Sequence, residues 1–333
     1  MAGGQERILK RRIASVNATK KITRAMELIA GSRIVKAQAR VHAAVPYSEQ
    51  ITEVVRDLAA AGGTVESPLL QPRPEIKRVA HVVLTADRGL CGGYNSAVIR
   101  AAEGSMKENA EQGRDYALVV VGRKAEGYFR YRNFRIHSTF TGFSDQPTYD
   151  DARRVARAVE APFLAGEFDR VELIYTRFVS AGTQEVVVRP LMPLDRELVL
   201  GGDGLPDRVD GGPSATYEFE PSPESILTQL LPRYAEARLY AALLNAAASE
   251  HAARQRAMKA ATDNAEDLIV RLTRVMNRAR QDAITTEIME IVGGAEALRQ
   301  GHDRGDGDHF TLDESRYGHH AHRPDQPAAP GRR

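Results

Sequence analysis

Apolar residues recur at helical spacing at the two ends of this chain and at strand spacing in between. Near the C-terminus, from Pro223 to Val292, they keep one heptad register with steps alternating between three and four. The seam runs Leu227, Leu230, Tyr234, Ala237, Ala241 and Leu244, then on through Met258, Ala265, Leu272 and Ala279 to Glu290. A sustained 3.5-residue repeat puts these side chains on one face and predicts a coiled coil with a left-handed supercoil. Alanine outnumbers leucine in the seam, so a partner helix can approach closely. Ser222-Pro223 is a start signal, an N-cap serine before a proline at the first helical position. Pro232 should kink or restart the helix.

The N-terminal stretch, Gln5 to Leu58, is less regular. Leu9, Ile13, Val16, Ile22, Met26, Ile29, Ile34, Ala37, Val41, Val45, Ile51, Val55 and Leu58 form a drifting stripe, and Lys20, Thr23 and Glu27 interrupt a strict heptad. Two readings are open: an antiparallel partner for the C-terminal helix, or an amphipathic helix folded onto a globular core. Helices so far apart in sequence pair only if the intervening domain returns the chain to its starting point.

That domain alternates strand and helix. Strands are expected at Val79–Thr85, Tyr116–Val121 and Phe134–Phe140. Helices are expected over 95–112, just after Gly122, and over Thr148–Leu164. A strand pair, Val171–Phe178 and Glu185–Leu191, turns around Ala181-Gly182. The pattern predicts a small Rossmann-like α/β domain with parallel central strands, inserted between the helices of a long antiparallel coiled coil. The expected boundaries are 1–60 for the first helix, 76–195 for the α/β domain, 196–221 for a flexible Gly/Pro/Asp-rich linker, 222–298 for the second helix and 299–333 for a disordered tail.

Composition narrows the function. Of 333 residues, 27% are charged and 42% hydrophobic, with a net charge of only +2. No apolar run is long enough to span a membrane, so membrane association is expected through partners alone. A single cysteine, Cys91, excludes an internal disulfide and fits a reducing compartment. Residues 1–40 hold ten Lys or Arg against two Glu. These flank an apolar stripe and lack interleaved aromatics, which argues against nucleic acid and for a solvated or acid-facing surface.

The candidate chemistry lies in a glycine-rich turn after the first strand, Asp87-Arg88-Gly89-Leu90-Cys91-Gly92-Gly93-Tyr94-Asn95. Its glycines follow neither G-x-G-x-x-G nor the phosphate-loop spacing, and Asp87 at its mouth would repel a pyrophosphate. No base is identifiable for Cys91 and no paired group for Asp87. The reading is a tight turn or contact surface, with no catalytic site, cofactor or metal. His319, His320 and His322 in the tail offer adventitious chelation at most.

Three segments carry a family resemblance. The first is Ile13-Ala14-Ser15-Val16 with Lys21-Ile22-Thr23-Arg24-Ala25-Met26-Glu27-Leu28-Ile29-Ala30. The second is the turn from Asp87 to Asn95. The third comprises Ser249–Arg254, Met258–Ala265 and Ile284–Ala295. Together they resemble the gamma subunit of F-type ATP synthases, from the N-terminus to about Leu298. The resemblance implies a rotary shaft: two terminal helices inside a ring of three alpha and three beta subunits, and an α/β foot against the epsilon subunit and the c-subunit ring. It implies proton-driven rotation that cycles the beta sites, at the cytoplasmic face of a bacterial cell membrane. It also implies that Met26, with Arg254 close by on the opposing helix, and Gln281, Thr285 and Glu287 higher up, meet beta. Asp87, Gly89, Cys91, Gly92 and Gly93 match the foot-domain motif. The tail beyond Leu298 departs from the family pattern. Two other readings remain: a free-standing α/β enzyme with helical dimerisation arms, and a static coiled-coil scaffold.

Overall fold

The computed structural model describes residues 2–60, 67–194 and 222–303. The apolar helical patterns become α1 (Ala2–Ala60) and α5 (Pro223–Asp303). Between them lie β1 (Arg78–Leu84), α2 (Tyr94–Glu111), β2 (Asp115–Val121), α3 (Arg123–Tyr131), β3 (Ile136–Phe140), α4 (Tyr149–Leu164), β4 (Arg170–Phe178) and β5 (Gln184–Met192). Pro232 does not interrupt α5, and the helix continues five residues past Leu298 to Asp303. The expected linker and most of the expected tail fall outside the described residues.

The chain divides into two compact units. The larger is Arg11–Leu272; the smaller is Met1–Lys10 with Thr273–Arg333. In the larger unit the five strands form one sheet in the order β3-β2-β1-β4-β5. β1 pairs in parallel with β2 and β4, β2 pairs in parallel with β3, and β4 and β5 form an antiparallel hairpin. The apolar runs of β1 and β2, broken in β1 by the buried His81, follow from burial on both faces. One face packs Val83, Leu118, Val120 and Ile174 against Val98 and Ala102 of α2 and Phe129 of α3. The other packs Val82, Val119 and Leu173 against α4, the last turns of α1 (Ile51, Val55, Leu58) and the first turns of α5 (Leu227, Leu231). α4 starts at a capping box in which Thr148 and Asp151 each bond the other's backbone N–H.

Within this unit α1 and α5 run antiparallel. Lys20 Nζ lies 3.0 Å from Glu266 Oε1, and Thr23 and Thr262 hydroxyls are 2.8 Å apart. A Cβ on Gly31 would sit 3.2 Å from Gln255. The stripe expected on α1 is displaced. Ile22 and Ile29 are 60% and 54% exposed, whereas Thr23, Glu27 and Ala30 are buried. The seam is a strict heptad after all: 13, 16, 20, 23, 27, 30, 34, 37, 41. Its polar members are tolerated because each finds a partner, Thr23 on Thr262, Lys20 on Glu266, and Glu27 on Arg24 at 2.9 Å. From Tyr234 to Ala252, α5 is buried over most of its surface, since α1 covers one side and the α/β domain another. Alanines and Ser249 there permit that double approach.

In the smaller unit, 2–10 and 273–303 are helical. Its α5 segment leaves Ile284, Ile288, Met289, Ile291 and Val292 about half exposed or more. The Thr285 and Thr286 hydroxyls donate to the Gln281 and Asp282 carbonyls one turn back.

Candidate functional site

The sheet reverses its order of growth between β1 and β4. In doubly wound sheets the crevice outside the carboxyl ends of the strands at such a switch point is the usual ligand site. Here α5 fills it. Ser249 Oγ donates to the Thr176 carbonyl at 3.1 Å, and Asn245 Oδ1 accepts from Phe178 N–H at 3.2 Å, both near the end of β4. The Tyr94 hydroxyl donates to the Ala246 carbonyl at 3.1 Å. Arg254 reaches the Gly89 carbonyl at 3.3 Å and the Arg88 carbonyl at 3.4 Å, and pairs with Glu250 at 2.7 Å.

The turn 87–95 is therefore a clamp. Asp87 joins three strand ends: its carboxylate accepts from the N–H groups of Arg123 after β2 and of Gly142 and Ser144 after β3. In return its own N–H donates to Ser144 Oγ at 2.8 Å. Cys91 is buried, and its sulfur accepts from Asn95 Nδ2 at 3.1 Å. Burial pushes its thiol upward despite the nearby Arg254 charge, so it packs as a small apolar group and not as a thiolate. Gly92 has a φ of 58°, a conformation glycine adopts without strain, and its α-carbon faces Ala257 of α5. Leu90, with φ 62°, is exposed at the tip.

Burial also dominates the ionisable groups beneath the clamp. It raises the Glu250 carboxyl, with Arg254 and the Ser144 hydroxyl opposing the shift. It drives His251 down to about 4, so this imidazole is neutral and donates Nε2–H to the Asp145 carbonyl at 3.2 Å. Asp145 in turn pairs with Arg33 of α1 at 2.9 Å. The β3–α4 loop is thus tied to both helices.

A pH dependence follows. The unfolded imidazole takes up a proton below about pH 6.5 while the folded one resists, so this stability is complete above pH 6.5. It is lost as pH falls towards about 4, to a maximum of about 3 kcal/mol. Chemical denaturation of the full chain between pH 7.5 and 4.5 should show this slope. His251→Gln, which keeps a donor, should flatten it; an unchanged slope would assign the acid sensitivity elsewhere.

The structure brings Asp87, Gly89, Cys91, Gly92, Gly93 and Arg254 together at one place. Arg254 is only 8% exposed and faces the 88–89 turn, so it sits inside the clamp. Met26 is half-buried on α1. Gln281, Thr285 and Glu287 are exposed on the smaller unit. Sequence reasoning missed Ser144, Asp145, Glu250 and His251 as partners of the clamp, and Asn245 and Ser249 as the bonds of α5 to β4. A Ser-Glu-His run directly after Ala246, Ala247 and Ala248 was the available signal.

Comparison with known proteins agrees with this architecture. A family model described as ATP synthase matches residues 5–298. The "ATP synthase gamma chain" of Frankia casuarinae is 55% identical over 302 residues, covering 90% of this chain and 99% of the relative. The protein of the same name in Mycolicibacterium smegmatis is 47% identical over 306 residues, covering 88% and 97%. Among solved structures, a chain of the Euglena gracilis mitochondrial ATP synthase (OSCP/F1/c-ring, rotational state 3) aligns at TM-score 0.63 and 17% identity, over 95% of this chain and all of that one. A central stalk/c-ring chain from Tetrahymena thermophila aligns at TM-score 0.54 and 24% identity, over 72% and 99%.

Proposed function

The chain belongs to the ATP synthase gamma-chain family, and from that premise we propose that it is the central rotor shaft of a proton-translocating F-type ATP synthase. It couples rotation of a c-subunit ring to the conformational cycle of three beta catalytic sites. The observation that carries this reading is the helix bonded across the switch point. A sheet built like a nucleotide-binding one uses the carboxyl ends of its strands to hold a helix, so the α/β domain and the helix pair turn together. Asymmetric contact then drives catalysis elsewhere: a shaft face that touches one beta conformer more favourably than another shifts that subunit's equilibrium.

The partners are the alpha and beta subunits, the epsilon subunit and the c-ring, and attachment to the cytoplasmic side of a bacterial membrane is through them. Among the described residues no helix is long and apolar enough to cross a bilayer. Met26 and the exposed Gln281, Thr285 and Glu287 are the proposed beta contacts, and Arg254 supports them by fixing α5 from within. The chain contributes no catalytic group of its own. Omission of this chain from a reconstituted complex in inverted vesicles tests the role. ATP-driven proton pumping should vanish while the alpha–beta ring retains hydrolysis; pumping without the chain would refute it.

Met26→Lys should uncouple more than it disassembles. Met26 neighbours Lys21 and Arg24 in sequence, and an added cation would meet an acidic beta surface with a charge-assisted hydrogen bond of roughly 1.5–3 kcal/mol that each turn must break. Protons pumped per ATP should fall at near-normal assembly. An unchanged ratio would remove Met26 from the coupling face.

A further inference from the structure

Away from the clamp, on the sheet face that carries α4, a small cleft opens between the β4–β5 hairpin and α5. It measures about 220 Å³ and is lined by Leu173, Tyr175, Arg177, Arg189, Arg238 and Asn245, with Ala241 and Ala242. Three guanidinium groups line it and no carboxylate does. Arg177 Nη2 pairs with Glu185 at 2.7 Å, but its Nε is buried without an acceptor among the described residues. Arg238 Nη1 is likewise buried without an acceptor, while its guanidinium lies 5.9 Å from the Tyr234 ring centre. Buried donors left unmatched cost stability, and a guanidinium's rigid fork matches carboxylate or phosphate oxygens.

We propose that this cleft binds a phosphate-class oxyanion, held by Arg177, Arg189 and Arg238. With Arg177 balanced by Glu185, two positive charges remain, which suits a doubly charged phosphate group. The volume argues for a single phosphate group and against a whole nucleotide, since organic ligands generally occupy about 300–1,000 Å³. A larger cleft of about 780 Å³ also has arginines, Arg40, Arg157 and Arg233. Glu160 and Glu236 line that one, and their carboxylates oppose an anion. The small cleft is independent of the shaft role, and nothing in that role requires it.

The test titrates the full chain with inorganic phosphate, followed by ³¹P NMR at constant ionic strength set with chloride. The expected result is saturable binding that weakens about tenfold or more in Arg238→Gln, as loss of one charge-assisted contact implies. Arg189→Gln, on the exposed edge strand, should weaken it similarly without disturbing the fold. Arg130→Gln on α3, an exposed cation far from the cleft in the topology, should leave it unchanged. A parallel arm floats the chain with phosphatidic acid or phosphatidylcholine vesicles. Arginine-dependent binding to phosphatidic acid vesicles alone assigns the phosphate to a lipid headgroup and also supports the site. No saturable binding to either source, or binding equal in all three variants, overturns it and leaves a hydrated arginine cluster.

Discussion

Replacing Arg254 by leucine is expected to destabilise the larger unit by roughly 3–5 kcal/mol, the usual effect of removing one partner from a buried ion pair. Glu250 is 1% exposed and would be left with a buried charge that, among the described residues, the Ser144 hydroxyl helps to hold. The substitution also releases the Arg88 and Gly89 carbonyls, so the 88–89 part of the turn loses its link to α5. Arg254→Leu with Glu250→Leu should lose clearly less than the sum of the single changes, because no uncompensated charge remains. Denaturant midpoints of the four proteins decide this. Strictly additive losses would show that the pair does not act as a unit.

Gly122→Ala should be the most damaging small change in the sheet. Gly122 ends β2 at φ 98°, and a Cβ there would lie 2.2 Å from the Thr85 carbonyl oxygen and 2.6 Å from its carbon. That neighbour is backbone, fixed by the Thr85 N–H bond to the Val121 carbonyl at 2.8 Å and by the Thr85 hydroxyl bonding to the same oxygen at 3.0 Å. It cannot move aside without opening the β1–β2 ladder, so a loss of about 3 kcal/mol or more is expected. Gly104→Ala is the contrast. It lies in α2 with nothing within 4 Å of its would-be Cβ, and should gain about 0.5–1 kcal/mol from helix propensity. Thermal unfolding of both variants tests the pair; equal shifts would contradict the geometry.

Much of this architecture is written in the sequence. The strand–helix alternation placed the five strands because buried parallel strands make apolar runs, as Leu118 to Val121 does and as Val79 to Leu84 does apart from His81. The C-terminal seam was readable because its 3.5-residue period persists for so many turns. The N-terminal seam was harder: its period was intact, but Lys20, Thr23 and Glu27 occupy it, and apolarity drew attention to Ile22 and Ile29, which face outward. A polar seam residue is legible only once its partner on the other helix is known, and Thr262 is 239 residues away. The clamp was half-visible for the same reason. The glycine spacing of 89–93 excluded a nucleotide loop, yet nothing local could show that Arg254 turns inward to the carbonyls of that loop. Arg254 looks in sequence like a surface cation; burial and Glu250 make it a structural one.

The most direct test of the shaft reading is rotation of the α/β domain itself. Lys107 is 79% exposed on α2, whereas Cys91 is buried, so Lys107→Cys gives a selective attachment point for a light-scattering rod. With the alpha–beta ring fixed to a surface, ATP should drive the rod continuously in one direction, with one dwell per turn for each beta subunit. A rod that stays still, or only fluctuates, while the same complexes hydrolyse ATP would contradict the account.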